Sequence, residues 1–161
     1  MIKPVEWPID SVAKAILSVG GEFARIKTPV GMRTAIRKEL GSIEHKCFVR
    51  CMQVSYRFNH KFWYCEGLAE GQPHAWLIPK LLCGEPNKVW CIDPIWPWHA
   101  PRKYHSLYPV YERDSISYYG ILMDGVKVGN FLKNRNKTKP TSTSILKYID
   151  EIDINSFVEC P

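Results

Sequence analysis

Pro73-His74-Ala75-Trp76-Leu77-Ile78 and Lys88-Val89-Trp90-Cys91-Ile92-Asp93 are two short apolar runs separated by a loop that holds Gly84-Glu85-Pro86-Asn87. Their length and their aromatic and β-branched content are those of strands, and the loop carries turn chemistry. Side chains along a strand repeat every second residue. If the runs lie antiparallel with Ile78 opposite Val89, Trp76 falls opposite Cys91 and His74 opposite Asp93. Directly opposed Cβ atoms sit about 4.5–5.5 Å apart, a gap that an imidazole spans to reach a carboxylate. A slip of one residue would send one partner to the other face.

Outward from this pair the hydrophobic period changes. Asp10–Val19 places Val12, Ala13, Ile16 and Leu17 on one face before Gly20-Gly21, which predicts a helix with Asp10 as N-cap. Pro29–Gly31 is a break, and Met32–Leu40, stopped by Gly41, reads as helical. A longer helix is expected within Ile43–Phe58, with Ser42 as N-cap and Cys47, Phe48, Cys51, Met52 and Tyr56 on its apolar side. That puts Cys47 in the first turn or two. Lys61–Cys65 alternates and is aromatic, as a strand is, and Ile116–Met123 is a further strand closed by Asp124-Gly125. Val126–Leu132 and Ser144–Ile149 complete the series as helices. Helices first, then consecutive strands, indicate α+β: N-terminal helices packed on a small antiparallel sheet, in a single domain over residues 1–161.

A chain of 161 residues buries a sizeable core without staples, and 45% apolar with 24% charged residues excludes extensive disorder. The net charge of +6 is spread along the sequence. Its one cluster, Lys133-Asn134-Arg135-Asn136-Lys137-Thr138-Lys139, reads as a solvated loop, so nucleic acid is not an expected partner. Six cysteines are an even number. The opening Met1–Glu6 lacks an apolar leader, however, and several cysteines stand in apolar runs where a free thiol packs as a small hydrophobe. A cytoplasmic, reduced protein is therefore expected. No apolar run approaches the roughly 20 residues that span a bilayer, so no membrane association is expected.

Cys47, His74 and Asp93 are the side-chain types of a thiol nucleophile, its general base and the group that orients the base. A cysteine near a helix N-terminus is biased towards thiolate by the aligned peptide dipoles, and His45 and Lys46 add potential of the same sign. Backbone N–H groups at that helix start would form part of an oxyanion hole. Cys51, one helical turn on, and Cys65 are the alternative nucleophiles. His45, Cys47, Cys51 and His74 also form a zinc-type inventory, but their spacing departs from the common C-x2-C sites, so neither metal nor cofactor is expected. Trp76, Trp96 and Trp98 are candidate walls of a substrate groove. Arg102 and Lys103 beside His99 and His105 would suit an acidic or nucleotide-like ligand.

Lys46-Cys47-Phe48, Tyr64-Cys65-Glu66-Gly67-Leu68-Ala69, Pro73-His74-Ala75-Trp76-Leu77, Ile92-Asp93-Pro94-Ile95-Trp96 and Tyr118-Tyr119-Gly120-Ile121 together carry a resemblance. The set resembles the C-F-x-N-A, Y-x-E-G-Y-A, H-A-W-L-V and D-P-T-W pattern of a group of small phage and bacterial proteins. More distantly it is similar to the transglutaminase-like branch of the papain-like cysteine hydrolases. Cys51 stands near the Asn-Ala of that pattern, Ile95 replaces its Thr, and the Gly- or Gln-containing run before a papain-type cysteine is missing. The resemblance implies a Cys47-His74-Asp93 triad in a cysteine-dependent acyl-transfer or amide-hydrolysing enzyme, with a protein or small amide or acyl compound as substrate. The competing expectation is a non-catalytic module of the same fold that masks a host protein or binds a nucleotide.

Overall fold

Residues 7–26, 47–80, 90–93, 118–135 and 144–159 are described by the structure, a computed structural model of the chain. In chain order they form helix α1 (Ile9–Val19), strand β1 (Gly21–Ile26), helix α2 (Cys47–Arg57) and strands β2 (Phe62–Ala69), β3 (Gln72–Pro79), β4 (Trp90–Ile92) and β5 (Tyr118–Met123). Helix α3 (Gly125–Arg135) and two 3₁₀ turns, Ile145–Tyr148 and Ile154–Ser156, follow. The architecture is α+β. The expected helix at Met32–Leu40, the Ser42 cap and the Gly84–Asn87 turn lie outside the described residues. No helix among the described residues is long and apolar enough to cross a membrane.

The strands close on themselves in the order β1-β4-β3-β2-β5. Among the described residues every strand thus has a partner on both sides. Closure depends on β1, which pairs antiparallel with β5 (Phe23↔Tyr118) and parallel with β4 (Arg25↔Cys91). The small sheet is antiparallel as expected in every pair but one, β1–β4, and it curls into a closed barrel. The rest of the ladder is antiparallel, and its longest stretch is the β2–β3 hairpin, paired from Phe62↔Pro79 to Ala69↔Gln72. Two residues, Glu70 and Gly71, turn this hairpin with φ of 49° and 73°. Positive φ at both positions matches the twist of the flanking strands, and glycine reaches it without a Cβ penalty.

Helix ends follow their local chemistry. Asp10 does not cap α1: the helix starts one residue earlier, and Pro8 occupies the N-cap with no side-chain bond. Asp10 instead sits in the first turn, where a carboxylate favours the positive end of the helix dipole. At α3 the expected turn residue Asp124 is the cap, its Oδ1 accepting from Val126 N at 2.8 Å and Lys127 N at 3.0 Å.

Strand alternation splits the barrel into two cores. Phe23, Cys65, Trp76, Ile78, Cys91, Tyr118 and Leu122 fill the interior. Tyr64, Ala75, Leu77, Ile92, Ile121 and Met123 face outward and pack with Val12, Phe48, Cys51, Val54, Val128 and Leu132 of the helices. Each such buried side chain contributes on the order of 1.5–3 kcal/mol. The interior accommodates Trp76 because Gly67 and Gly120 stand opposite each other on β2 and β5. A Cβ on Gly120 would lie 2.7 Å from the indole ring and 2.6 Å from Glu66 O.

Candidate active site

One ladder pair, Leu77↔Ile92, sets the register of β3 against β4. Counting from it, Trp76 faces Asp93, and His74 is displaced two residues along on the same face. The expected register, with His74 directly opposite Asp93, is corrected by two residues. An even shift preserves the face, so the two side chains still meet, as diagonal neighbours within reach of a long side chain. His74 Nε2 lies 2.6 Å from Asp93 Oδ2. Both are buried, Asp93 completely and His74 to 3% exposure.

Cys47 opens α2 close enough to His74 to raise its proton affinity through charge and side-chain hydrogen bonding. The three residues singled out as nucleophile, base and orienter are therefore brought together. Burial alone would lower the proton affinity of His74, but the charges of Asp93 and Cys47 and the hydrogen bonds to both outweigh it. The net result lifts His74 from its ordinary 6.5 to about 10. Within this cluster the ring is held as an imidazolium.

The competing thiols are differently placed. Cys51 is fully buried and points at Ala75 O, 3.5 Å away. Burial, and after it the negative charge at Asp93, pushes its thiol well above the ordinary value. Cys65 is equally buried inside the barrel and is pushed up by burial and by Cys91. Both are held as neutral thiols, which are poor nucleophiles.

Trp76 packs inside the barrel with no exposure, its ring nearly parallel to His74 at 6.3 Å and edge-on to Tyr118 at 5.0 Å. It lines the interior rather than an exposed groove, since strand alternation turns it to the same side as His74. Its Nε1 is buried without a hydrogen-bond partner among the described residues. Trp96 and Trp98 lie outside the described residues, as does His45 of the zinc-type inventory. Among the described residues no three His, Cys, Asp or Glu side chains gather as a metal-binding group.

Two residues to which the sequence assigned no role, Tyr118 and Glu66, make further buried polar contacts. Tyr118 O–H donates to Asp93 Oδ2 at 2.9 Å, the same oxygen that His74 engages. On the outer face, the Glu66 carboxylate accepts from Tyr64 O–H at 2.5 Å, Ile145 N at 2.8 Å, Leu146 N at 3.2 Å and the Ser144 hydroxyl. The signal for Glu66 was a lone acid in an apolar strand, two residues from a tyrosine and so on its face. For Tyr118 no local signal exists, because its partner comes from a distant strand. No protein-family model, curated protein or solved structure matches the chain.

Proposed function

We propose that this chain is a cysteine-dependent acyl-transfer or amide-hydrolysing enzyme on a transglutaminase-like core. The observation that carries the reading is a buried imidazole whose Nε2 lies 2.6 Å from Asp93 and whose proton affinity is raised by both Asp93 and Cys47. The order of elements also supports it: the cysteine opens a helix, and the histidine and aspartate follow on paired strands. With the thiol's proton already held on His74, Cys47 Sγ attacks the acyl carbon. Because Nε2 is committed to Asp93, that proton sits on Nδ1. His74 then protonates the departing amine or alkoxide as the C–N or C–O bond breaks, leaving a thioester on Cys47. Water or an amine attacks the thioester, gives its proton to His74, and releases Cys47. Asp93 keeps the ring oriented and stabilises its charge throughout.

A second reading has its own support. Cys47 is only 6% exposed, which suits a non-catalytic module of the same fold that masks a host protein or holds a nucleotide. Iodoacetamide labelling near neutral pH, with the modified cysteine mapped by mass spectrometry, separates the two. The enzyme reading expects fast labelling at Cys47, retained in Cys51→Ala and lost in His74→Ala. Labelling of Cys47 no faster than an ordinary thiol favours the binding module.

A further inference from the structure

We propose that Tyr118 is the positioning residue of this site, fixing the Asp93 carboxylate so that His74 stays aligned on Cys47 and gives up its proton readily. The proposal rests on the acyl-transfer reading above. Tyr118 belongs to β5, which pairs with β1 and β2 and not with β3 or β4. Its phenol therefore crosses the barrel interior to reach Asp93. Contact with the edge of Trp76 and with the His74 ring, whose centroid lies 6.4 Å away, holds the phenol in place, and it has no solvent exposure.

A buried tyrosine needs a partner for its O–H, so satisfaction of a polar group is the competing explanation. The choice of oxygen argues for more. His74 Nε2 and Tyr118 O–H both engage Oδ2 of Asp93. A carboxylate oxygen that accepts from two donors divides its charge between them. Without the phenol, that oxygen would hold the imidazolium more tightly and the ring would release its proton less easily to a leaving group. The carboxylate would also lose the contact that resists its rotation. Among the described residues, the titratable groups packed around the trio are Cys47 and Cys51 from α2, Cys65 from β2 and Cys91 from β4, with Tyr64 and Glu66 on the outer face of β2. The phenol is the neutral donor to Asp93 in this set.

Tyr118→Phe keeps the aromatic packing and removes only the O–H. Two readouts test it: the rate of Cys47 alkylation by iodoacetamide as a function of pH, and the titration of the His74 ring by NMR. The expected result is an upward shift of the His74 titration and a change of about tenfold in the alkylation rate, the size of a lost hydrogen bond to a charged group. Tyr64→Phe strips an equally buried O–H from Glu66 on the outer face and should leave both readouts at parent values. Parent-like readouts in Tyr118→Phe, with alkylation still dependent on His74, overturn the positioning role alone. Alkylation unaffected by His74→Ala overturns the acyl-transfer reading and this proposal with it. Should Tyr118→Phe not fold, 3-fluorotyrosine placed at position 118 provides a stronger donor. It must then lower the His74 titration, and an unchanged titration contradicts the proposal.

Discussion

Asp93 and Glu66 are both fully buried carboxylates of one small barrel, yet the two faces of the sheet give them different company. Asp93 points inward and shares one oxygen between an imidazole and a phenol. Glu66 points outward, and both of its oxygens are filled by hydroxyls and backbone N–H groups. Trp7 Nε1 extends that outer set by donating to Ser144 Oγ at 2.8 Å, so Glu66 ties the chain before α1 and the 3₁₀ turn at Ile145–Tyr148 to β2. None of the groups bonded to Glu66 exchanges a proton near neutral pH. The partners of Asp93 include a histidine that itself meets a thiol. A buried acid surrounded by fixed donors staples a fold, whereas one that holds a histidine against a cysteine is equipped for proton transfer.

The largest expected effect comes from exchanging each acid for its amide. Asp93→Asn removes the main attraction that outweighs burial at His74, so the ring becomes neutral and Cys47 alkylation falls by roughly 10²-fold. The same change costs roughly 3 kcal/mol of stability, the range for breaking a buried charge pair. Glu66→Gln costs about 1–3 kcal/mol, the range for buried hydrogen-bond partners left unmade, with alkylation at the parent rate. Equal slowing by the two variants would erase the distinction between the faces.

A smaller effect lies in the pH dependence of stability. Folded His74 holds its proton up to about pH 10, while an ordinary histidine releases it near 6.5. The folded state binds more protons in that window, so the stabilisation is complete below about pH 6.5 and is lost as pH rises through about 10. Burial also raises Glu66 from 4.5, against the opposing pull of its hydrogen bonds. Its contribution has the same sign but a lower window, complete below 4.5 and lost as pH rises through the raised folded value. Melting temperatures across pH should show His74→Gln flattening the alkaline slope and Glu66→Gln flattening the acid one.

How far the sequence reveals this arrangement varies by element. Period-two patterning and turn residues locate β3, β4, β5 and the first half of β2, and apolar patterning locates the three helices. Strand β1 escapes because Gly20-Gly21 reads as a helix stop, and its partners β4 and β5 lie at least 60 residues away in sequence. The register of β3 on β4 is set by packing Leu77 and Ile92 into the outer core, which the loop between them does not encode. Side-chain parity survived that shift, and so the meeting of His74 and Asp93 was legible. Tyr118 was not, because a phenol crossing a closed barrel depends on closure itself.

The smallest effect falls on the hairpin tip that joins the strand of Glu66 to the strand of His74. Gly71 has φ of 73°, and a Cβ there would meet nothing within 4 Å. Gly71→Ala therefore pays backbone strain alone, roughly 1 kcal/mol. That lowers the melting temperature by about 2–4 °C and should leave alkylation of Cys47 unchanged.

The most direct measurement is the protonation of His74 itself, read from its ring ¹⁵N shifts between about pH 5 and 11. The expected result is a ring protonated on both nitrogens at about pH 8, titrating near 10, and displaced to lower pH in Asp93→Asn. A His74 that titrates near 6.5 in the parent protein, or that ignores Asp93→Asn, would contradict the buried Cys47-His74-Asp93 arrangement.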